Sequence, residues 1–211
     1  MRSSTTAAIE TDADQTAETA PARGRPRDSR ADAAILAATF RQLVEVGYAG
    51  LSIESVAAEA GVAKTTLYRR HPTKKELVVA ALEAATPFEP PPPDLPTRRA
   101  LELFVRAAIH VLIDSGAFRI LGSLLLEESR EPGLLATFRA RLLTPRRAMV
   151  EAMLQRGIER GEIRPDIEPL VVTEMIAGAI IGHHVILGLQ GDDAWIDQLI
   201  EHVWRAIALD R

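Results

Sequence analysis

Four side chains suited to contacting nucleic acid fall on one face of a short predicted helix. At about 100° per residue, one arc of the segment AKTTLYRR carries Lys64, Thr65, Tyr68 and Arg69. The apolar Leu67 falls on the opposite arc. Cationic and hydroxyl side chains bond phosphates and base edges. The spacing therefore predicts a helix that packs on one side and leaves the other free to contact DNA.

A second helix precedes it across a glycine. Its apolar residues recur at i, i+3, i+4 and i+7, which is the spacing of a helix buried on one side: Ile53, Val56, Ala57 and Ala60. Ser52 stands where such a helix takes its N-cap, and Gly61 permits a sharp reversal because glycine adopts left-handed backbone at little cost. Two short helices joined in this way predict a helix-turn-helix.

A further helix is predicted immediately downstream. Pro72 ends the preceding one, and Thr73 opens an S/T-x-x-E capping box. We expect the helix to span residues 73–85. Lys74 and Lys75 stand in its first turn, beside backbone N–H groups that have no partner within the helix. This combination of positive charge and free donors predicts a phosphate-binding site.

These segments resemble the TetR/AcrR-type transcriptional regulators of bacteria. The similarity runs through AILAATFRQLVEVGYAGLSIESVAAEAG and continues in GVAKTTLYRRHPTKKEL, so it covers about residues 30–85. It implies that DNA-contacting positions are occupied by Lys64, Thr65, Thr66 and Tyr68, and that Lys74 binds a phosphate. With Ser52 and Arg69, these complete the expected DNA-binding residues of the helical block.

Two residues depart from the family pattern. His71 replaces a bulky aromatic residue, and Ala63 replaces a serine-type cap that usually contributes about 1 kcal/mol. Neither belongs to the predicted reading face. The alternative interpretation is a plain helical hairpin with a solvated basic surface, but the glycine turn, the capped next helix and the exposed Tyr68–Arg69 pair all agree in register.

The charge distribution agrees with this placement. The chain has a net charge of -4, yet residues 21–86 hold ten basic and seven acidic side chains, including all three lysines. Just before the helical block, Arg25 and Arg27 follow Arg23 in the segment PARGRPR. Arginines on an irregular arm can enter the minor groove, although a solubilising tail is the alternative.

Composition favours a soluble protein of the cytoplasm. The 211 residues are 47% hydrophobic, which is enough for a core, and contain no cysteine for disulfides or thiolate metal sites. The first twenty residues lack the apolar segment of a secretory signal. The longest apolar stretch, Met175–Leu189, is shorter than a membrane span and is interrupted by His183 and His184, so we expect no transmembrane segment.

The whole chain is predicted to be all-α. A tail with the basic arm occupies residues 1–27, the DNA-binding block residues 28–86, a proline-rich connector residues 87–96, and a helical effector-binding and dimerisation domain residues 97–211. Helical patterns in the last of these are Thr97–Ser115, Phe118–Arg130, Pro132–Leu143, Pro145–Arg160, Pro165–Leu189 and Asp193–Ala208. No strand-type alternation is present.

The last two of these helices have more apolar surface than one partner can cover. Apolar residues nearly encircle the first and recur along the second, and a helix apolar all round must be buried all round. We therefore expect a homodimer through about residues 165–208, in an isologous four-helix interface. This is also where the TetR resemblance places dimerisation. The alternative is an intramolecular core.

The resemblance further implies repression of a palindromic operator that a small effector relieves. An apolar pocket would suit a lipophilic effector, and we expect it to be lined by Phe104, Leu112, Phe118, Leu121, Leu125 and Met175. Polar groups on the same helices that could contact the effector are Arg106, His110, Ser123, Glu127, Glu174 and His183. No bound cofactor or metal is expected.

Two other classes of function are weaker. An enzyme lacks support because the chain has no GxSxG elbow, glycine-rich phosphate loop, HExxH motif or cysteine nucleophile. A helical adaptor that binds protein and retains a vestigial helix-turn-helix is the second alternative. Salt-sensitive, sequence-selective binding to duplex DNA separates the regulator from the adaptor.

Overall fold

A computed structural model of the protein describes residues 29–209. This part of the chain is helical, with no strands and a single antiparallel bridge between Ile163 and Ala208, so the all-α prediction is confirmed. The expected minor-groove arm with Arg25 and Arg27 lies outside the described residues. Ten α-helices follow in order: α1 Ser29–Gly50, α2 Ile53–Glu59, α3 Lys64–Arg70, α4 Lys74–Ala85, α5 Thr97–Ile109, α6 Ala117–Glu127, α7 Leu134–Phe138, α8 Thr144–Glu159, α9 Pro169–Ile181 and α10 Asp193–Ile207.

Three of these helices continue into a wider π-helical turn: α5 into His110–Asp114, α7 into Arg139–Leu143 and α9 into Gly182–Ile186. The second joins α7 to α8, so the two helices predicted on either side of residue 144 form one continuous run. In this turn the Thr144 N–H bonds the Arg139 carbonyl, five residues back. The wider turn accommodates the ring of Pro145, which lacks an N–H and crowds the preceding carbonyl.

The first of two apolar cores lies under the DNA-binding block. It contains buried side chains of α1 to α4, among them Leu43, Val56 and Leu77, but it also takes Ile120 and Leu124 from α6. Leu134, Leu135, Phe138 and Leu142 of α7 and its π turn complete it. The block is therefore packed as one body with α6 and α7.

The second core fills the space between α5, α8, α9 and α10, with Leu101, Leu154 and Ile176 at its centre. The proline-rich connector lies against it through Phe88 and Leu95. Arg160 holds this connector in place by donating to the carbonyl oxygens of Pro93 and Leu95, each at 3.1 Å. The connector is thus attached along α8.

One helical run is long and apolar enough, by length and composition, to span a membrane. It comprises Pro169–Ile186, with a mean hydropathy of 1.5. The sequence reading placed the longest apolar stretch at Met175–Leu189, whereas this run begins earlier, at Pro169. One helix of this length and composition does not by itself indicate a membrane protein. Only 17% of the window is buried, and its other residues are half-buried or exposed in a single copy.

Candidate functional site

The helix-turn-helix is built as its sequence predicts. Ser52 caps α2 by accepting a hydrogen bond from the Ser55 N–H at 3.0 Å. Gly61 has a φ of 65°, the left-handed conformation that reverses the chain at little cost for glycine. The Val62 N–H then bonds the Ala57 carbonyl at 3.0 Å. These contacts fix where α3 starts relative to α2.

The predicted reading face of α3 is exposed. Leu67 is completely buried and holds the helix on the first core, whereas 47% of Tyr68 is accessible to solvent. Three more of the predicted DNA-contacting side chains of α3 are exposed: Lys64, Thr65 and Arg69. The fourth, Thr66, is half-buried. Ala63 has no side-chain oxygen that could cap α3. The N-terminal N–H groups of α3 therefore lack the hydrogen bond that a serine-type cap would accept from them.

Lys64 has a partner that the sequence reading did not assign. Its ammonium lies 2.9 Å from a carboxylate oxygen of Glu54 on α2. This hydrogen bond keeps the pKa of Glu54 below its ordinary value. Both side chains are more than half exposed, so water screens the pair and its contribution to stability is small. A DNA phosphate or base can therefore replace Glu54 as the partner of Lys64.

A network of polar side chains joins α1 to α2. Gln42 donates to Glu59 at 2.7 Å and accepts from Ser55 at 2.7 Å. Arg41 also pairs with Glu59, at 2.7 Å. The Ser52 hydroxyl joins the network through Ser55, at 2.9 Å. Through these bonds Ser52 holds the start of α2 in place.

At the start of α4, Thr73 accepts a hydrogen bond from the Glu76 N–H at 3.2 Å, as the capping pattern predicts. Lys74 is half-buried, and its ammonium lies 4.5 Å from the centre of the Tyr48 ring. Burial lowers the pKa of Lys74, and the carboxylates of Glu131 and Glu127 offset this in part. Lys74 is thus close to the loop between α6 and α7.

Tyr48 connects the same loop to α1. Gly47, with a φ of 70°, breaks the helical backbone of α1 just before it, and the buried phenol donates a hydrogen bond to Glu131. The Tyr48 N–H also bonds the Ser123 hydroxyl of α6 at 3.4 Å. The Gly47–Tyr48 break noted in the sequence therefore forms the junction between the helix-turn-helix and α6.

His71 lies at the C-terminal end of α3 beside α1. Its Nε2 atom is 3.6 Å from a carboxylate oxygen of Asp32, which also pairs with Arg70 at 3.2 Å. Burial lowers the pKa of His71, with Asp32 acting in the opposite direction. A titratable imidazole thus occupies the position where the family pattern has a bulky aromatic side chain.

A cavity of about 400 Å³ opens between α5, α8, α9 and the connector. Its size lies within the range of small-molecule sites. The lining is largely apolar: Phe88, Phe104, Ala108, Val111, Leu112, Leu143, Val150, Ile176 and Ala177, with Thr144, Thr173, Arg139, Arg146 and Arg147 as its polar members. Two of the three π turns contribute to it, and such turns are frequent at functional sites.

Most side chains expected around an effector lie elsewhere. Of that set, Phe104 and Leu112 line the cavity. Leu125 and Met175 are exposed, Leu121 packs on the first core, and Phe118 is half-buried on α6. The amphipathic pattern identifies apolar residues but not the neighbour that each one faces. The lining residues missed by the sequence reading include Phe88, inside a connector that was read only as a hinge.

The polar groups expected at the pocket have other partners. Arg106 bridges α5 to α10 through Asp193 and Asp197, both at 2.8 Å. His110 is exposed and pairs with Asp114. The remaining ones are Ser123 at the junction with Tyr48, Glu127 paired with Arg130, Glu174 exposed on α9, and His183 stacked on Trp195 with ring centres 4.0 Å apart.

Comparison with known proteins gives two family matches. Residues 35–81 match the bacterial regulatory proteins of the tetR family, and residues 91–203 match the C-terminal domain of tetracyclin repressor-like proteins. The chain is 31% identical to the DNA-binding transcriptional repressor TetR of Mycobacteroides abscessus, over 86% of this chain and 94% of that protein.

Similarity to other regulators also extends over most of the chain. The HTH-type transcriptional regulator YdeS of Bacillus subtilis is 26% identical over 88% of this chain and 93% of its own. Among solved structures, the TetR family transcription regulator SCO0332 is 29% identical, with a TM-score of 0.64 over 85% of this chain and 100% of that chain. The likeness therefore includes both the helix-turn-helix and the helical domain behind it.

Proposed function

Because this chain belongs to the TetR family of bacterial regulatory proteins, we propose that it represses transcription as a homodimer on a palindromic operator and that a small lipophilic effector releases it. Proteins of this family are DNA-binding transcriptional regulators, not enzymes. The observation that carries the proposal is the exposed face of α3, held on the buried Leu67. A cytoplasmic location follows from this role.

In the proposed complex, α3 lies in the major groove. Thr65 and Lys64 contact base edges, and Thr66, Tyr68 and Arg69 add contacts to bases or phosphates. The N-terminal turn of α4, with Lys74, binds the DNA backbone, supported by the N–H groups of that turn other than that of Glu76, which Thr73 caps. Ser52 orients α2. Arg25 and Arg27 precede this block in sequence and remain a proposal for the minor groove.

The proposed dimer is formed by α9 and α10, and the uncovered apolar surface that supports it lies on α9, its π turn and the residues just after that turn. Large apolar side chains are exposed along this part of the chain: Val171, Met175, Val185, Ile186, Leu187 and Leu189. Contiguous exposed apolar surface of this kind marks an interaction site. A second copy packed on the same surface would bury it and would hold two α3 helices at a fixed separation, as a palindrome requires.

The proposed effector site is the cavity beside α5, α8 and α9. It is apolar and is connected to α4 because Arg146, in its lining, donates hydrogen bonds to Thr86 at the end of α4. A ligand that fits only one arrangement of these helices would shift the separation of the two α3 helices. The division into residues 28–86, 87–96 and 97–211 stays a proposal.

Selection of bound duplexes from a random pool tests the function. We expect an inverted repeat with half-sites about one helical turn apart, bound with an affinity that falls steeply as salt rises. Arg69→Ala should weaken this binding, whereas Arg119→Ala, which removes the same charge from an exposed position of α6, should not. Weak binding without sequence preference would instead favour the adaptor.

A further inference from the structure

We propose that the effector is a lipophilic anion whose negative group is bound by Arg146 together with Arg139 and Arg147. The inference rests on the proposed function, because it specifies the chemistry of the ligand for the same cavity. Among the described residues, the lining contains these three guanidinium groups and no carboxylate. A neutral lipophilic ligand would need none of these charges at its site.

Arg146 is the central group of this site. It is half-buried, and its Nη2 donates to the Thr86 carbonyl and to the Thr86 hydroxyl, the latter at 2.6 Å. Both acceptors are neutral, so neither compensates the charge. Burial lowers the pKa of Arg146, with Glu83 offsetting this in part. Glu83 itself pairs with Arg141 at 2.6 Å.

The other two guanidinium groups extend the positive surface at the mouth of the cavity. The side chain of Arg139, on the π turn, is exposed, and among residues 29–209 it makes no hydrogen bond or ion pair, although its charge helps to lower the pKa of Glu128. Arg147 pairs with Glu151 at 3.0 Å, and half of its side chain is exposed. Guanidinium groups bind carboxylates and phosphates in bidentate geometry. An anionic head group near Arg146 therefore has donors on more than one side.

The apolar remainder of the cavity defines the other end of the ligand. Phe88 and Phe104 meet edge to face, with ring centres 5.7 Å apart, and the Arg146 guanidinium lies 5.7 Å from the Phe88 ring centre. Val150 and Ile176 continue the apolar wall. Positive charge and apolar surface thus meet at Arg146, which is the arrangement that an amphiphilic anion fits.

The same guanidinium connects the ligand to the DNA-binding block. Thr86 caps the C-terminal end of α4, and Lys74 stands in the first turn of that helix. The Arg146 guanidinium has five N–H donors, and only Nη2 bonds Thr86, so the other donors can bind an anion. An anion that draws the guanidinium further into the cavity lengthens and weakens the two bonds from Nη2 to Thr86. The end of α4 is then free to move, and α4 transmits the change to the phosphate-binding turn.

A matched set of ten-carbon probes tests the proposal. Decanoate, decanol and decylamine have the same apolar chain but carry a negative, neutral or positive head at neutral pH. Each is titrated into the full chain below its micelle-forming concentration, by calorimetry and by release of the selected duplex in fluorescence anisotropy. We expect decanoate to bind at least about tenfold more tightly than decanol, since charge-assisted hydrogen bonds are the stronger ones, and decylamine to bind most weakly.

Variants locate the effect. Arg146→Gln should remove the preference for decanoate over decanol. The pair Arg139→Gln with Arg147→Gln, which does not touch Thr86, should reduce that preference. Arg119→Gln, at an exposed position of α6 outside the lining, removes the same charge; it is the matched control and should behave as the unaltered protein. A preference for decanoate that survives in Arg146→Gln and in the pair would overturn the assignment.

The outcomes separate the two proposals. Sequence-selective DNA binding, combined with equal or tighter binding of decanol, or with no binding of decanoate up to its solubility, contradicts the anion proposal alone. Failure of the full chain to bind any selected duplex in the absence of probes contradicts the regulator proposal, whatever the probes do. Binding of decanoate without release of the duplex contradicts the link through Thr86.

Discussion

The phenol of Tyr48 donates a hydrogen bond to the carboxylate of Glu131, which joins the end of α1 to the loop between α6 and α7. The ammonium of Lys74 lies over the same aromatic ring. Three elements therefore meet at one side chain: the first helix of the DNA-binding block, the first turn of α4 and the helical domain behind it. Changes at this point should affect both stability and the response of the block.

Replacing Tyr48 with Phe should destabilise the protein. The substitution retains the ring under Lys74 but leaves the Glu131 carboxylate without its donor, and a hydrogen bond to a charged group contributes about 1.5–3 kcal/mol. We expect a loss of this order in the free energy of unfolding, measured by urea denaturation. Tyr68→Phe is the matched control, since Tyr68 is exposed. An equal loss in both variants would contradict the role of the Glu131 contact.

His71 should make the stability depend on pH in the acidic range. Burial keeps its pKa in the folded state below the ordinary value of 6.5, so the unfolded chain binds the proton more readily. The stabilisation is present above about pH 6.5 and is lost as the pH falls through the folded-state pKa. His71→Phe should reduce this loss, which thermal unfolding between neutral and mildly acidic pH can measure.

The pH experiment needs a control for the other charged groups near His71. Arg70 and His71 both approach its carboxylate, and Arg141 also acts on the imidazole. Asp32→Asn removes the negative charge while leaving the imidazole in place, so it should lower the pKa of His71 further. An unchanged pH profile in His71→Phe would assign the acid sensitivity to other groups.

Side chains on the exposed face of α3 should differ in what they contribute. We expect Thr65→Ala to change the preference among bases at one position, by about 1 kcal/mol or roughly fivefold. Tyr68→Ala and Lys74→Ala should weaken binding to all duplexes alike, and the lysine variant should reduce the slope of log affinity against log salt by about 1. Affinities for a panel of single-base operator variants test this. Uniform weakening by all three substitutions would exclude Thr65 from base reading.

A charge placed on α9's uncovered surface should separate the proposed dimer. Ile186 is 76% exposed in a single copy, and Ile186→Glu would bury an unpaired carboxylate in the interface of both copies. Because such a charge costs about 3–5 kcal/mol, we expect the dimer dissociation constant to rise by roughly 100-fold or more in sedimentation experiments.

The matched control for this experiment is Leu126→Glu on α6. Leu126 is 77% exposed, so the two variants carry the same new charge at similarly accessible positions. The dimer should persist in Leu126→Glu. Dissociation by this variant alone would move the interface from α9 and α10 to α6.

Local structure could be predicted from the sequence because local chemistry determines it. The Ser52 cap, the positive φ of Gly61 and the Thr73 cap each depend on residues within three or four positions. The boundary at Pro145 was not predictable in the same way, since a π turn lets the helical run continue past the proline. Propensity alone favours an end to the helix there.

The cavity depended on contacts that sequence spacing does not contain. Met175 and Leu125 are apolar and lie on amphipathic helices, yet both face outward in a single copy. Arg146 bonds Thr86, which is 60 residues away in sequence, and this contact places its guanidinium near the ring of Phe88. The charge of Arg146 beside Pro145 gave no signal of burial. Only the contact of Arg146 with Thr86, at the end of α4, identifies it.

The first core has a consequence for building hybrid regulators. A graft that transfers residues 29–86 onto a foreign effector module would leave behind Ile120, Leu124, Leu134 and Phe138, which fill the underside of the transferred block. The resulting voids would be expected to unfold the reading unit before any change in specificity appeared. A hybrid in which α6 and α7 are transferred together with residues 29–86 keeps this packing intact. The boundaries of exchanged segments should therefore follow the first core and not the proline-rich connector.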